Sequence, residues 1–207
     1  MKLKFFSLIF LALLPHILTG QEIYLNVGSS IENHQLEFTA KDLEEKAISS
    51  CISPTIGMTI RHTPRISSIW QYKRSRAFEN KTIGDQFDYT FHFESLTTSL
   101  QLDLFPIGSN TVDAQFGMSA DVLNEARQNG MSTSINLLES GFNKSGSSVL
   151  FGFGLHSSLN RPYSYRLSYV SARGLTNFEN DPDQTTRFFS NRILIEALIR
   201  LDQKSEE

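Results

Sequence analysis

Between residues 112 and 122 the chain alternates without a break. Val112, Ala114, Phe116, Met118, Ala120 and Val122 are apolar, and Asp113, Gln115, Gly117, Ser119 and Asp121 are polar or small. A period of two puts the two sets on opposite faces of a β-strand. The run is as long as the ~9–11 residues that a tilted strand needs to cross a bilayer. A chain built from such segments must bury one face in a core or give it to lipid.

Seven more segments share the pattern. Ile23, Leu25 and Val27 alternate with Tyr24, Asn26 and Gly28. Pro54, Ile56, Met58 and Ile60 alternate with Thr55, Gly57, Thr59 and Arg61. Ile66, Ser68, Trp70 and Tyr72 alternate with Ser67, Ile69, Gln71 and Lys73. Phe87, Tyr89, Phe91 and Phe93 alternate with Asp88, Thr90, His92 and Glu94. That segment continues from Leu96 to Leu104 with its apolar parity moved by one residue, which predicts a bulge near Glu94-Ser95. The remaining three are Val149–His156, Tyr163–Tyr169 and Ile193–Leu201.

The connections sort into two kinds. Thr63–Arg65, Pro106–Asn110 and Leu159–Pro162 are tight turns carrying Pro or Gly. Ser29–Ile52, Ala77–Gln86, Asn124–Ser147 and Gly174–Arg187 are long. Short and long connections alternate strictly, as in membrane barrels with short periplasmic turns, long outer loops and both termini periplasmic. The apolar face carries essentially no charge. The other face carries Arg61, Lys73, Glu94, Asp103, Asp113, Asp121, Arg166, Glu196 and Arg200. A lipocalin-like soluble barrel would bury the apolar face, and a small membrane barrel would expose it. Periodicity does not decide between them.

The N-terminus, together with the even strand count and the alternation of short and long connections, favours the membrane barrel. Lys2 and Lys4 precede an apolar run from Phe5 to Leu14, then Pro15 and Thr19-Gly20-Gln21, the plan of a secretory signal peptide. We expect residues 1–20 to be the signal and 21–207 the barrel domain. Loss of Lys2 and Lys4 would take the formal charge from -3 to about -5, which gives no reason to expect nucleic acid. The one cysteine, Cys51, excludes an internal disulfide and reads as a loop or strand-edge residue. Lys41–Ser49 is the best helical candidate. The expected fold class is all-β, an eight-stranded antiparallel up-and-down transmembrane β-barrel in the cell outer membrane.

Three stretches carry a family resemblance: "AQFGMSADVL" at 114–123, "VLFGFGLH" at 149–156 and "YRLSYVSARGLTNF" at 165–178. Together they resemble the PorT-like outer-membrane β-barrel domain of Bacteroidetes-type Gram-negative bacteria. Arg166, Tyr169, Gly174, Leu175 and Asn177 follow its Arg-Tyr-x-x-Gly-Leu-x-Asn-like pattern loosely. The resemblance implies an integral outer-membrane protein.

Sites for chemistry are scarce. His156 and Ser158 share a face, but nucleophilic catalysis also needs an orienting acid, and the sequence places none beside them. His92 and Glu94 could meet on the lumen face but are too few for a closed metal site. Asn180–Asp183 lacks the ligand count of a calcium loop. Gly141–Ser148 has no phosphate-loop spacing and reads as a flexible outer loop. Trp70, Tyr72, Tyr163 and Tyr169 read as interfacial aromatics. Arg166 should point into the lumen, balanced by Asp113, Asp121 or Glu196. We therefore expect no catalytic, cofactor-binding or metal site and no cofactor. The expected partners are outer-membrane lipid and other envelope proteins met through the outer loops, with the barrel a monomer. The alternatives are an outer-membrane enzyme acting on lipid or peptide and a soluble ligand-binding barrel.

Overall fold

The structure is a computed structural model that describes residues 22–40, 43–83, 87–130, 134–139, 141–178 and 183–201. The expected signal peptide lies outside them. Nine strands are present: β1 (Glu22–Ala40), β2 (Leu43–Thr63), β3 (Ile66–Ile83), β4 (Phe87–Ile107), β5 (Asn110–Asn129), β6 (Ser134–Asn136), β7 (Ser145–Ser157), β8 (Tyr163–Gly174) and β9 (Gln184–Arg200). Eight of them pair antiparallel with their neighbours in chain order, and β1 closes the ring against β9. The short β6 hangs on the end of β5. Along the near half, closure leaves no edge.

The three tight turns gather at one end, here called the near end. Gly108 at φ 61° makes the β4–β5 turn, a conformation that a side chain would strain. The opposite, far end differs from expectation. Most of what the sequence offered as long loops is strand. β1 and β2 stay paired from Glu22↔Arg61 out to Ala40↔Leu43. Of the helical candidate Lys41–Ser49, the described part is not helical: from Leu43 onward it is β2, because pairing with β1 outweighs the helix preference of its Glu, Lys and Ala residues. Cys51 therefore sits in mid-strand opposite Glu32 rather than in a loop.

The expected bulge at Glu94-Ser95 is also absent. Between Phe91 and Asp103, β4 keeps one inward set, Phe91, Phe93, Ser95, Thr97, Ser99 and Gln101. The register slip lies on the neighbouring strand, where Asn124 is the extra residue between the pairs His92↔Glu125 and Phe93↔Leu123. Apolar parity changes in β4 because the surroundings change, not because the backbone does. Phe91 and Phe93 point into the barrel, and Leu100 and Leu102 point out of it.

Candidate functional site

The barrel's two faces are its functional surface. In the near half the outward face is apolar. Ile52, Ile56, Leu100, Phe116, Met118, Phe151, Phe153, Tyr165 and Ile195 are each about half exposed or more. Tyr163 and Tyr169 lie on the same outward face, Tyr163 74% exposed. The inward face is mostly polar, with Ile69, Leu150, Val170, Leu194 and Leu198 among its buried side chains. Arg166 donates from Nε to Glu196 Oε2 at 2.9 Å, and its Nη2 also contacts that oxygen. Its Nη1 reaches Gln101 Oε1 at 3.0 Å. Gln71 donates to the other Glu196 oxygen at 2.6 Å. Glu196, rather than Asp113 or Asp121, thus balances Arg166. Gly28 makes room for the pair: a Cβ there would lie 2.8 Å from Glu196 Cγ and 2.2 Å from Ile195 O.

Around this centre the lumen is cross-linked from strand to strand. Lys73 Nζ donates to Glu32 Oε2 at 2.8 Å. Gln115 donates to Asp113 and to Ser168, each at 3.1 Å. At the near end Arg61 and Arg200 both bind Glu22, at 3.2 and 3.0 Å. Buried charges persist when paired and hydrogen-bonded, as Arg166 with Glu196 and Lys73 with Glu32 are. The inward set contains Glu32 and Arg192 as well as the charges expected from sequence, except for Glu94, which points outward.

Two cavities bracket the network. The upper one, about 40 Å³, is lined among others by His34, Lys73, Asp121, Ser148 and Arg192. The lower, about 300 Å³, opens at the near end between Arg61, Arg65, Asp103 and His156. The buried Arg166–Glu196 pair separates them, as an eight-stranded interior just wide enough for side chains requires.

The far half reverses the faces. Leu36, Ala77, Phe91, Phe93, Leu123, Ala126, Leu137, Phe178 and Phe188 form one buried cluster inside the ring. Phe93 and Phe188 meet edge to face at 4.7 Å between ring centroids. The outward positions there are mostly polar, among them Asn33, Arg74, Arg76, Glu94, Asn124, Arg127 and Arg187, with Ile48 an apolar exception. Gly141–Ser148 is no free loop: Phe142 packs on the cluster, Asn143 N donates to Phe178 O at 2.8 Å, and residues from Ser145 belong to β7.

The expected chemical candidates fall apart. His156 lies inward beside an acid that the sequence did not reveal: its Nε2 is 3.0 Å from Asp103 Oδ1. Its Nδ1 is engaged with Ser157 O at 2.9 Å. Both ring nitrogens are taken, leaving none for the Ser158 hydroxyl, which accepts from Asn160 N. His92 and Glu94 lie outside the ring rather than in the lumen, and His92 Nδ1 sits 2.8 Å from Glu125. Of Asn180–Asp183, only Asp183 lies within the described residues. One group was missed. Ligand atoms of Glu32, His34 and Cys51 lie within 4.8 Å of one another. Their stretch read as a loop, so the opposition of Glu32 and Cys51 had no sequence signal.

No protein-family profile matches the chain, and no curated protein matches it. Solved structures do. Neisserial surface protein A superposes with a TM-score of 0.53 at 9% identity, over 86% of this chain and 97% of that one. The fold is that of the small outer-membrane barrels. OprG from Pseudomonas aeruginosa gives 0.49 at 9% identity, over 88% and 97% of the two chains. Ail of Yersinia pestis gives 0.45 at 12%, over 85% and 98%.

Proposed function

We propose that this chain is a non-enzymatic integral protein of the outer membrane. Its near half spans the bilayer and its far half stands above it as a rigid interaction module, in a PorT-like accessory role in the envelope. One observation carries the reading: the near half has an uncharged apolar exterior around a largely polar interior cross-linked from strand to strand. A soluble barrel would leave that belt in water, an apolar patch far larger than monomers expose. The PorT-like residues have definite tasks that suit such a module. Arg166 anchors the lumen network. Asn177 accepts from Thr186 N at 2.7 Å and donates to Gln184 O at 2.9 Å, holding the β8–β9 connection against the aromatic cluster.

The sealed interior argues against a channel, and the engaged His156 against a hydrolase. Membrane fractionation with a heat-modifiability gel tests the proposal. We expect recovery with the outer membrane and a mobility shift on boiling. Release into the soluble periplasm, with unchanged mobility, contradicts it. So does acyl or peptide release that is lost in both His156→Ala and Ser158→Ala.

A further inference from the structure

Where the polar lumen meets the aromatic cluster, three metal-ligating residue types converge. Glu32 is fully buried, His34 is 6% exposed, and Cys51 is half-buried on the facing strand. The imidazole stacks on Phe93, 6.3 Å away and 12° from parallel, which fixes its plane. Its Nε2 lies 2.9 Å from Glu32 Oε2, yet without the angle of a hydrogen bond. Glu32 is itself fixed by Lys73, by Ser30 at 2.6 Å and by Ser75 at 3.2 Å. In metal sites a carboxylate beside one ring nitrogen orients the imidazole so that the other nitrogen can ligate; here the 2.9 Å ion-pair contact with Glu32 would supply that orientation. The thiol of Cys51 is the neighbouring soft donor.

We infer that His34 and Cys51 form a binding site for a monovalent thiophilic metal ion, Cu(I), with Glu32 orienting the imidazole. Thiolate and imidazole ligands suit that ion. Charge narrows the choice further. Lys73 already touches Glu32, and Arg192 is its cross-strand neighbour on β9. Cu(I) displaces the Cys51 proton to solvent as the sulfur–copper bond forms, so no electron moves and the net charge of the site is unchanged. Zn²⁺ would add a positive charge beside two cations. An entry path exists as well. Among the described residues, β2 pairs with β3 only from Thr55↔Lys73 toward the near end. Beyond that pair the outer half of β2, with Cys51, holds to β1 alone, leaving a seam beside the site.

The test is anaerobic titration of the detergent-solubilised full chain with Cu(I) against a chromogenic Cu(I) chelator. The site predicts one ion per chain with thiolate-to-copper absorption. It also predicts loss of that absorption in Cys51→Ser, and binding weakened about ten-fold or more in His34→Ala. Cys51→Ser removes one donor atom with little change of shape, and heat-modifiable migration of each variant shows that the barrel has formed. Failure to compete with the chelator, equal affinity in Cys51→Ser, or preferential binding of Zn²⁺ overturns the inference.

Discussion

The near and far halves of this barrel use the same strands and obey opposite rules. β5 shows both within twenty residues. From Asp113 to Asp121 its inward side chains are polar and its outward ones apolar, while Leu123 and Ala126 point inward into an apolar cluster and Asn124 and Arg127 point outward. Backbone geometry is continuous apart from one bulge, so the strand does not explain the reversal. The surroundings do. On the proposed placement, lipid around the near half makes an apolar exterior favourable and forces polar groups to pair inside. Water around the far half restores the ordinary arrangement, with apolar surface buried at roughly 25 cal/mol per Å². On that placement, the boundary between the two media is written across β4, β5 and β9 as a change in which parity is apolar.

If that contrast is right, the halves should fail differently. The largest effect is expected from Glu196→Ala, which strands the buried Arg166 charge. Breaking such a pair costs about 3–5 kcal/mol, read as a lowered urea midpoint for the whole barrel. Phe93→Ala should cost a similar or slightly smaller amount, about 3–5 kcal/mol for a buried aromatic, but locally. Hydrogen exchange should speed up in the far half, while heat-modifiable migration persists. Equal loss of protection in both halves would mean that they are one cooperative unit. A charge on the belt, Phe116→Arg, should cost about 2–4 kcal/mol of folding into bilayers, whereas Asn124→Arg on the same strand should cost close to nothing. The smallest effect belongs to Asn177→Ala, about 1 kcal/mol, seen as faster proteolysis of the β8–β9 connection alone.

The contrast also explains what was legible in the sequence. β5, β7, β8 and the second half of β9 could be read because their alternation stays within one medium for most of its length. The tight turns could be read from Pro and Gly. Tyr89, Phe91 and Phe93 read as outward when the parity of the segment is extended across the boundary, and the apparent bulge at Glu94-Ser95 is that boundary. The outer halves of β1 and β2 lacked a recognisable signal. In β1 the inward Ser30, Glu32 and His34 are polar and so are the outward Asn33 and Gln35, so the segment between Ser29 and Ile52 shows no alternation and looked like a loop. With it went the opposition of Glu32 and Cys51, which depends on a register that only pairing defines. Asp103 beside His156 escaped notice because the two are 53 residues apart in sequence.

Spin labels placed singly along the outward face of β5 test the reversal most directly. The chain would carry Cys51→Ser and be reconstituted in lipid vesicles, with labels at residues 114, 116, 118, 120, 122, 124 and 127. Collision with oxygen reports lipid, and collision with a water-soluble nickel chelate reports solvent. The account predicts that oxygen access dominates around 116–118 and gives way to the chelate at 124 and 127. Chelate access at 116–118, or oxygen access persisting through 127, would contradict it.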